Sequence, residues 1–191
     1  MIDEFRLAVS QAALEDLHCR LDRARFPESQ TSEGWDQGVP VEYARELVHY
    51  WRHHYDWRQR EAYLNRHPQY VTCLDGLSVH FIHVRSPHAQ AEPLIMTHGW
   101  PGSVVEFQKV IDPLVDPVAY GGHARDAFHV VCPSLPGYGF SGKPQGIGWG
   151  VPKIAGAWDE LMRRLGYTRY FAQGGDWGSA VTTAIGIQDL G

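Results

Sequence analysis

Residues 170–183 read YFAQGGDWGSAVTT, an apolar, β-prone run that ends in two glycines, a carboxylate, an indole and a third glycine before a helix-compatible stretch. Residues 174–178, GGDWG, follow the G-x-nucleophile-x-G plan of a nucleophile elbow, with Asp176 where serine usually stands. Glycines at the flanks permit a cramped turn that holds the central side chain out of the sheet. A serine there suits acyl esters. A carboxylate can instead attack an electrophilic sp3 carbon and form an alkyl-enzyme ester, which water must then hydrolyse. Strained alkyl rings and alkyl halides therefore suit Asp176 better than peptides do. Taken alone, Asp176 is also compatible with a turn or a helix-capping carboxylate.

Two further loops carry chemistry or shape. THGWPGS, residues 97–103, has Gly99, Pro101 and Gly102 to turn the chain and backbone N–H groups that can face a developing oxyanion. Those donors, with the Trp177 N–H, would stabilise charge on the Asp176 carboxyl group. SLPGYGFS, residues 134–141, has no proton-transfer pair and reads as a pocket wall, with Tyr138 and Phe140 offering apolar surface. His98 lies just ahead of the first turn and reads as its support rather than as a general base. His53 and His54 lack the His-Glu-x-x-His spacing of a zinc site, and His80 and His83 fall on opposite faces of one strand. Cys19, Cys73 and Cys132 are an odd, widely spaced set without metal or redox spacing, which suits a reducing compartment and buried or semi-buried thiols.

These loops need strands and helices to hold them. PLIMTHG, FHVVCPS and YFAQGG are apolar runs that each end in turn residues, as parallel strands do when covered on both faces. Between the first two, Phe107, Val110, Ile111 and Leu114 predict a helix. Between the second and third, Val151, Ile154, Ala155, Trp158, Leu161, Met162 and Leu165 predict a longer one, with Gly166 at its C-terminal cap. Upstream, YVTCLDGLSVHFIHV reads as two strands joined at Asp75–Gly76. The fold class is α/β from about residue 69.

Ahead of it, residues 1–68 read as a helical arm. Ser10 is a candidate N-cap, flanked by a Val9–Leu14 staple, for a helix that carries Leu14, Leu17 and Leu21 and stops by Phe26–Pro27. After the turn-rich PESQTSEGWDQGVP, a second helix starts near Pro40, carries an apolar stripe of Ala44, Leu47, Val48, Trp51 and Tyr55, and ends by His67–Pro68.

The 191 residues are 43% apolar and 20% charged with a net charge of -5, which favours a folded protein over a disordered one and disfavours nucleic acid as a partner. The first twenty residues lack the apolar core of a signal peptide, and no run is long enough for a bilayer, so a cytoplasmic protein without a membrane anchor is expected.

Taken together, RFPESQ, HYWRHHYDWRQREAYLN, DGLSVHFIHVRS, HGWPGSVVEF, FHVVCPSLPGYGFS and LMRRLGYTRYFAQGGDWG resemble the microsomal-type epoxide hydrolase family of α/β-hydrolases across essentially the whole sequence. The resemblance implies an incomplete α/β-hydrolase sheet over residues 69–191, through the nucleophile elbow, preceded by the family's N-terminal arm. It implies Asp176 as nucleophile, Trp100 and Trp177 as backbone oxyanion donors, and a small apolar epoxide and water as reactants, giving a vicinal diol. No cofactor and no metal are implied, and the role is one in detoxification and aromatic hydrocarbon catabolism. Pro101 can follow a cis peptide in such proteins.

The family's lid tyrosines, triad acid and triad histidine have no matching segments here, and AIGIQDLG begins without completing the packing after the elbow. The expectation is an incomplete hydrolase, with turnover by this chain in doubt and an apolar strand edge open to self-association or to completion by a C-terminal hydrolase fragment. A haloalkane dehalogenase-like hydrolase, and an inactive fragment that binds a partner, stand as alternatives.

Overall fold

A computed structural model describes residues 1–188; the expectation for the last residues of AIGIQDLG falls on 189–191, outside the described residues. The chain divides into two compact units, Leu7–Tyr63 and a second made of Met1–Arg6 with Leu64–Gly191.

The Leu7–Tyr63 unit is helical. Ser10 caps α1 (Gln11–Asp22), its side chain accepting from the Ala13 N–H at 3.2 Å. The second predicted helix is two helices, α2 (Val41–His53) and α3 (Trp57–Leu64). The break is local chemistry: Asp56 turns its carboxylate onto the Gln59 N–H at 3.2 Å, starting α3 as a side-chain cap. Arg52 of α2 donates to Asp22 of α1 at 2.8 Å, and Glu61 accepts from the Val9 N–H at 2.6 Å and pairs with Arg58. Within the predicted stripe of α2, Ala44, Val48 and Tyr55 are half-buried while Leu47 and Trp51 stay exposed.

The other unit is built on a six-stranded sheet. Its strands are β1 (Ile2–Phe5), β2 (Gln69–Leu74), β3 (Leu77–Val84), β4 (Glu92–Thr97), β5 (Phe128–Pro133) and β6 (Phe171–Gly174), in the order β1-β2-β3-β5-β4-β6. The strand β1 is a finding, since the sequence places this segment at the head of a helical arm. It pairs antiparallel with β2 over Ile2↔Thr72 to Phe5↔Gln69. Strands β2 and β3 form the expected hairpin, closing at Leu74↔Leu77. Asp75 and Gly76 both take positive φ, 46° and 80°, as the two central residues of such a tight hairpin must. The three loop-bearing strands are parallel: β4 lies between β5 and β6, with Ile95 opposite Val131 on one side and Ala172 on the other.

Alternation along these strands supplies two cores. Phe81, Ile95 and Val131 pack with Trp158, Leu161 and Met162 of α5 (Val151–Arg164) and with Val181 and Ile185 of α6 (Trp177–Ile187). Their neighbours Ile82, Leu94, Met96, Val130 and Cys132 pack on the opposite side with Phe107 and with Ile111 of α4 (Ile111–Val115). The helix predicted through residues 107–114 is a 3-10 turn at Val104–Phe107 followed by the short α4. Pro113 explains the split, because its ring would meet the carbonyl four residues back if the helix were continuous. Gly166 closes α5 with φ 90°. Cys132 is buried as expected, but Cys19 and Cys73 are exposed and all three are free thiols.

Candidate active site

The elbow is a crossing of backbones. Gly174 ends β6 and Gly178 lies in the first turn of α6. A Cβ on Gly174 would stand 2.1 Å from the Gly178 carbonyl oxygen, and one on Gly178 would stand 2.0 Å from the Thr97 carbonyl oxygen. Only glycine lets β6, α6 and the end of β4 approach this closely. Between them Asp176 has φ 53° and ψ -123°, a conformation that costs a non-glycine residue about 1–3 kcal/mol and persists only where the surroundings impose it. The consequence is an exposed carboxylate at the carboxyl end of the parallel strands.

That carboxylate makes no side-chain capping bond to α6. Its Oδ1 accepts instead from the Trp100 N–H at 2.8 Å, across 76 positions of sequence. The Trp100 N–H, and after it the Trp177 N–H, hold the Asp176 carboxyl below its ordinary value. The Trp177 N–H does so from a position that falls short of a regular hydrogen bond. No charged side chain contributes to the shift, so two backbone dipoles keep the group anionic. Asp176, Trp100 and Trp177 are thus brought to one place. Gly99 makes room for this approach, because a Cβ there would lie 2.4 Å from Asp176 Cβ. The Trp100–Pro101 peptide is cis.

His98 is wholly buried, and its two nitrogens tie the first two loops together. Nε2 accepts from the Leu135 N–H at 3.1 Å, so Nδ1 carries the proton and donates to the Gly99 carbonyl at 3.1 Å. Burial lowers its pKa, which keeps the ring neutral. With both nitrogens engaged, His98 braces the THGWPGS loop against the SLPGYGFS loop.

A second buried histidine, His80, braces that SLPGYGFS loop from the far side, which sequence reasoning did not anticipate. The Gln69 amide nitrogen donates to the Leu64 carbonyl at 2.8 Å, leaving its oxygen to accept from His80 Nε2 at 2.8 Å. His80 Nδ1 is then the acceptor for the Ser134 hydroxyl at 2.9 Å. Ser141 continues the clasp, accepting from the His80 N–H and donating to the Ser134 carbonyl. Burial pushes His80 down to about 4. The available signal was the presence of Gln69, His80 and Ser134 in otherwise apolar extended runs, but their pairing spans up to 54 positions and has no local signature.

The aromatics of the second loop part company. Tyr138 meets the His98 ring edge-on at 5.5 Å and, with Trp177, walls an apolar pocket of about 260 Å³. Phe140 packs instead on Phe5 and His80, at 5.3 and 5.1 Å between centroids. Among the described residues no side chain hydrogen-bonds to the Asp176 carboxylate, and no group of three His, Cys, Asp or Glu is placed to hold a metal ion. No described helix is long and apolar enough to cross a membrane.

Comparison with known proteins gives this arrangement its lineage. Residues 2–107 match the sequence profile of the epoxide hydrolase N terminus, and residues 92–188 that of the alpha/beta hydrolase fold. A protein of Stigmatella aurantiaca named "Putative epoxide hydrolase" is 59% identical over 96% of this chain and 42% of its own length. Epoxide hydrolase 1 of Oryctolagus cuniculus is 39% identical over 95% of this chain and 41% of its own length. The crystal structure of juvenile hormone epoxide hydrolase from Bombyx mori superposes with a TM-score of 0.88 at 31% identity, over 97% of this chain and 44% of that one. The chain therefore spans about two fifths of the length of these relatives. With both profiles each matching more than half of its residues, the chain belongs to the epoxide hydrolase family of the α/β hydrolase fold.

Proposed function

We propose that Asp176 is the nucleophile of an epoxide hydrolase acting on a small apolar epoxide. Its carboxylate oxygen attacks a ring carbon from behind the C–O bond. That bond breaks, the ring oxygen takes a proton, and an alkyl-enzyme ester is left on Asp176. Water adds to the carboxyl carbon of this ester. The ester C–O bond then breaks, so the vicinal diol leaves with an oxygen from Asp176 while the water oxygen stays in the regenerated carboxylate. During that addition, charge builds on the other carboxyl oxygen, where the Trp100 and Trp177 N–H groups act as donors.

The observation that carries this reading is the 2.8 Å bond from the Trp100 N–H to an Asp176 carboxylate that is held at positive φ and spent on no helix cap. The Trp100 N–H meets the carboxyl group itself, which supports a role as donor to the charge of ester hydrolysis. No described side chain stands as a base for the water, so alkylation is the half-reaction that the described residues equip best. In the same reading the protein works in a reducing, cytoplasmic setting, in keeping with its three free thiols, and removes reactive epoxides arising in aromatic hydrocarbon catabolism.

Intact-mass measurement after incubation with an epoxide tests the assignment. The expected result is one added epoxide mass, mapped to Asp176 and absent from folded Asp176→Asn. An unchanged adduct in that variant would sink the assignment. Halide release from chloroalkanes, with no labelling by epoxides, would turn the reading toward a haloalkane dehalogenase-like hydrolase.

A further inference from the structure

We propose that His49 and His53, at the C-terminal end of α2, form a two-histidine site for a late divalent transition-metal ion of the zinc type.

The spacing is helical. His53 follows His49 by four residues, so the two side chains leave α2 from one face, one turn apart. The same H-x-x-x-H spacing places the histidine pair of helical zinc motifs on a common ion. Here the ring centroids are 4.5 Å apart, with 44° between the planes. Two imidazoles bonded to one ion at a Zn–N length of about 2.0–2.1 Å, with an angle of about 90–110° at the metal, have centroids about 4.5–5 Å apart. The pair therefore stands at chelating separation with α2 as it is. Both residues are exposed, so an ion reaches them directly. His54 is the next residue, but its ring is 5.8 Å from that of His49, beyond this range.

The surroundings suit a cation held by neutral rings. Desolvation, and then the charges of His49 and Arg52, hold His53 below its ordinary value, so its ring is neutral at pH 7 and has a nitrogen lone pair to give. Arg52 would oppose a metal ion, but its Nε donates to Asp22 of α1 at 2.8 Å, which offsets its charge. Asp22 also acts on His53 in the sense that favours positive charge, against His54, which acts in the opposite sense. The last carbonyls of α2 carry the negative end of the helix dipole and add to the attraction.

Among the described residues no third His, Cys, Asp or Glu is placed to join the pair, so water completes the coordination. The site is thus open and exchangeable rather than a closed structural centre. Imidazole donors suit zinc, nickel and copper and offer little to calcium or magnesium, which take oxygen ligands.

Isothermal titration calorimetry of the full chain with zinc chloride at pH 7 tests the site, with calcium chloride as the contrast. Zinc should bind and calcium should not. His49→Ala and His53→Ala should each lower zinc affinity about tenfold or more, while His54→Ala should leave it within about threefold. Cys19 and Cys73 are exposed thiols and zinc ligands in their own right, so Cys19→Ser/Cys73→Ser is titrated alongside and should keep the site. Lowering the pH to 5 should release the ion, because protons then take the imidazole nitrogens. All of these positions are exposed, and circular dichroism confirms that each variant is folded. Zinc affinity unchanged in folded His49→Ala and His53→Ala, lost in the cysteine variant, retained in full at pH 5, or absent from the parent would overturn the proposal.

Discussion

Asp176 and His80 face opposite sides of the same acid–base question. Backbone donors hold the Asp176 carboxyl below its ordinary value, so its labelling by an epoxide should stay constant as pH falls from 7 toward 5, with any loss confined below the usual carboxylate range. Labelling rates across that interval check this, and a rate that halves near pH 6 would show that another group controls the attack. Burial holds His80 and His83 at about 4 against an ordinary 6.5. The unfolded chain therefore binds more protons than the folded one between about pH 6.5 and 4. Stability from this source is complete above that window and is lost as pH falls through it, at about 1.4 kcal/mol per pH unit for each ring near the middle. Urea unfolding at pH 7 and pH 5 measures the loss. His80→Phe should roughly halve the dependence, leaving the His83 share, while lowering stability at pH 7 by about 1–3 kcal/mol, because Gln69 and Ser134 lose their buried partner.

At the scale of elements, two glycines of α6 separate close approach from ordinary helix propensity. Gly178→Ala would drive a methyl group onto the Thr97 carbonyl, with backbone rather than a movable side chain in the way, and should cost more than about 3 kcal/mol or prevent folding. Gly186, in the same helix, has nothing within 4 Å of an added Cβ, so Gly186→Ala should be neutral or stabilising by up to about 1 kcal/mol. Chemical denaturation of the pair checks the contrast, and equal effects would remove the packing argument for the elbow. The three loops owe their meeting to parallel pairing, since β5, β4 and β6 all point the same way and deliver their turns to one end of the sheet.

For the whole molecule, the sheet edge matters most. Among the described residues β6 has a strand on one side only, through β4, and Phe171 on it is 58% exposed. An apolar edge of this kind pairs with other strands unless charge or cover prevents it. The purified chain should therefore self-associate, and Phe171→Lys should shift it toward monomer in size-exclusion chromatography with light scattering. A monodisperse monomer at high concentration in the parent protein would contradict this, as would an unchanged distribution in the variant.

Much of this was legible in the sequence because it is local. The strand periods, the Asp75–Gly76 hairpin, the Ser10 cap and the glycine spacing around Asp176 each depend on residues a few positions apart, and local sterics fix them. Other features need distant segments. β1 joins the sheet because β2 offers an unpaired edge 67 positions later, and a four-residue strand carries too little pattern to announce itself. The split of the predicted 107–114 helix is local too, since it follows from the ring of Pro113. The sequence by itself determined that a carboxylate stands at a glycine-flanked strand-to-helix turn. Only the tertiary structure decided that its oxygen meets the Trp100 N–H, that Tyr138 faces a pocket while Phe140 turns to Phe5, and that His80 braces the loop between them. The physical reason is that hydrogen bonds and apolar burial reward whatever the folded sheet brings within a few ångströms, however far apart the chain placed it.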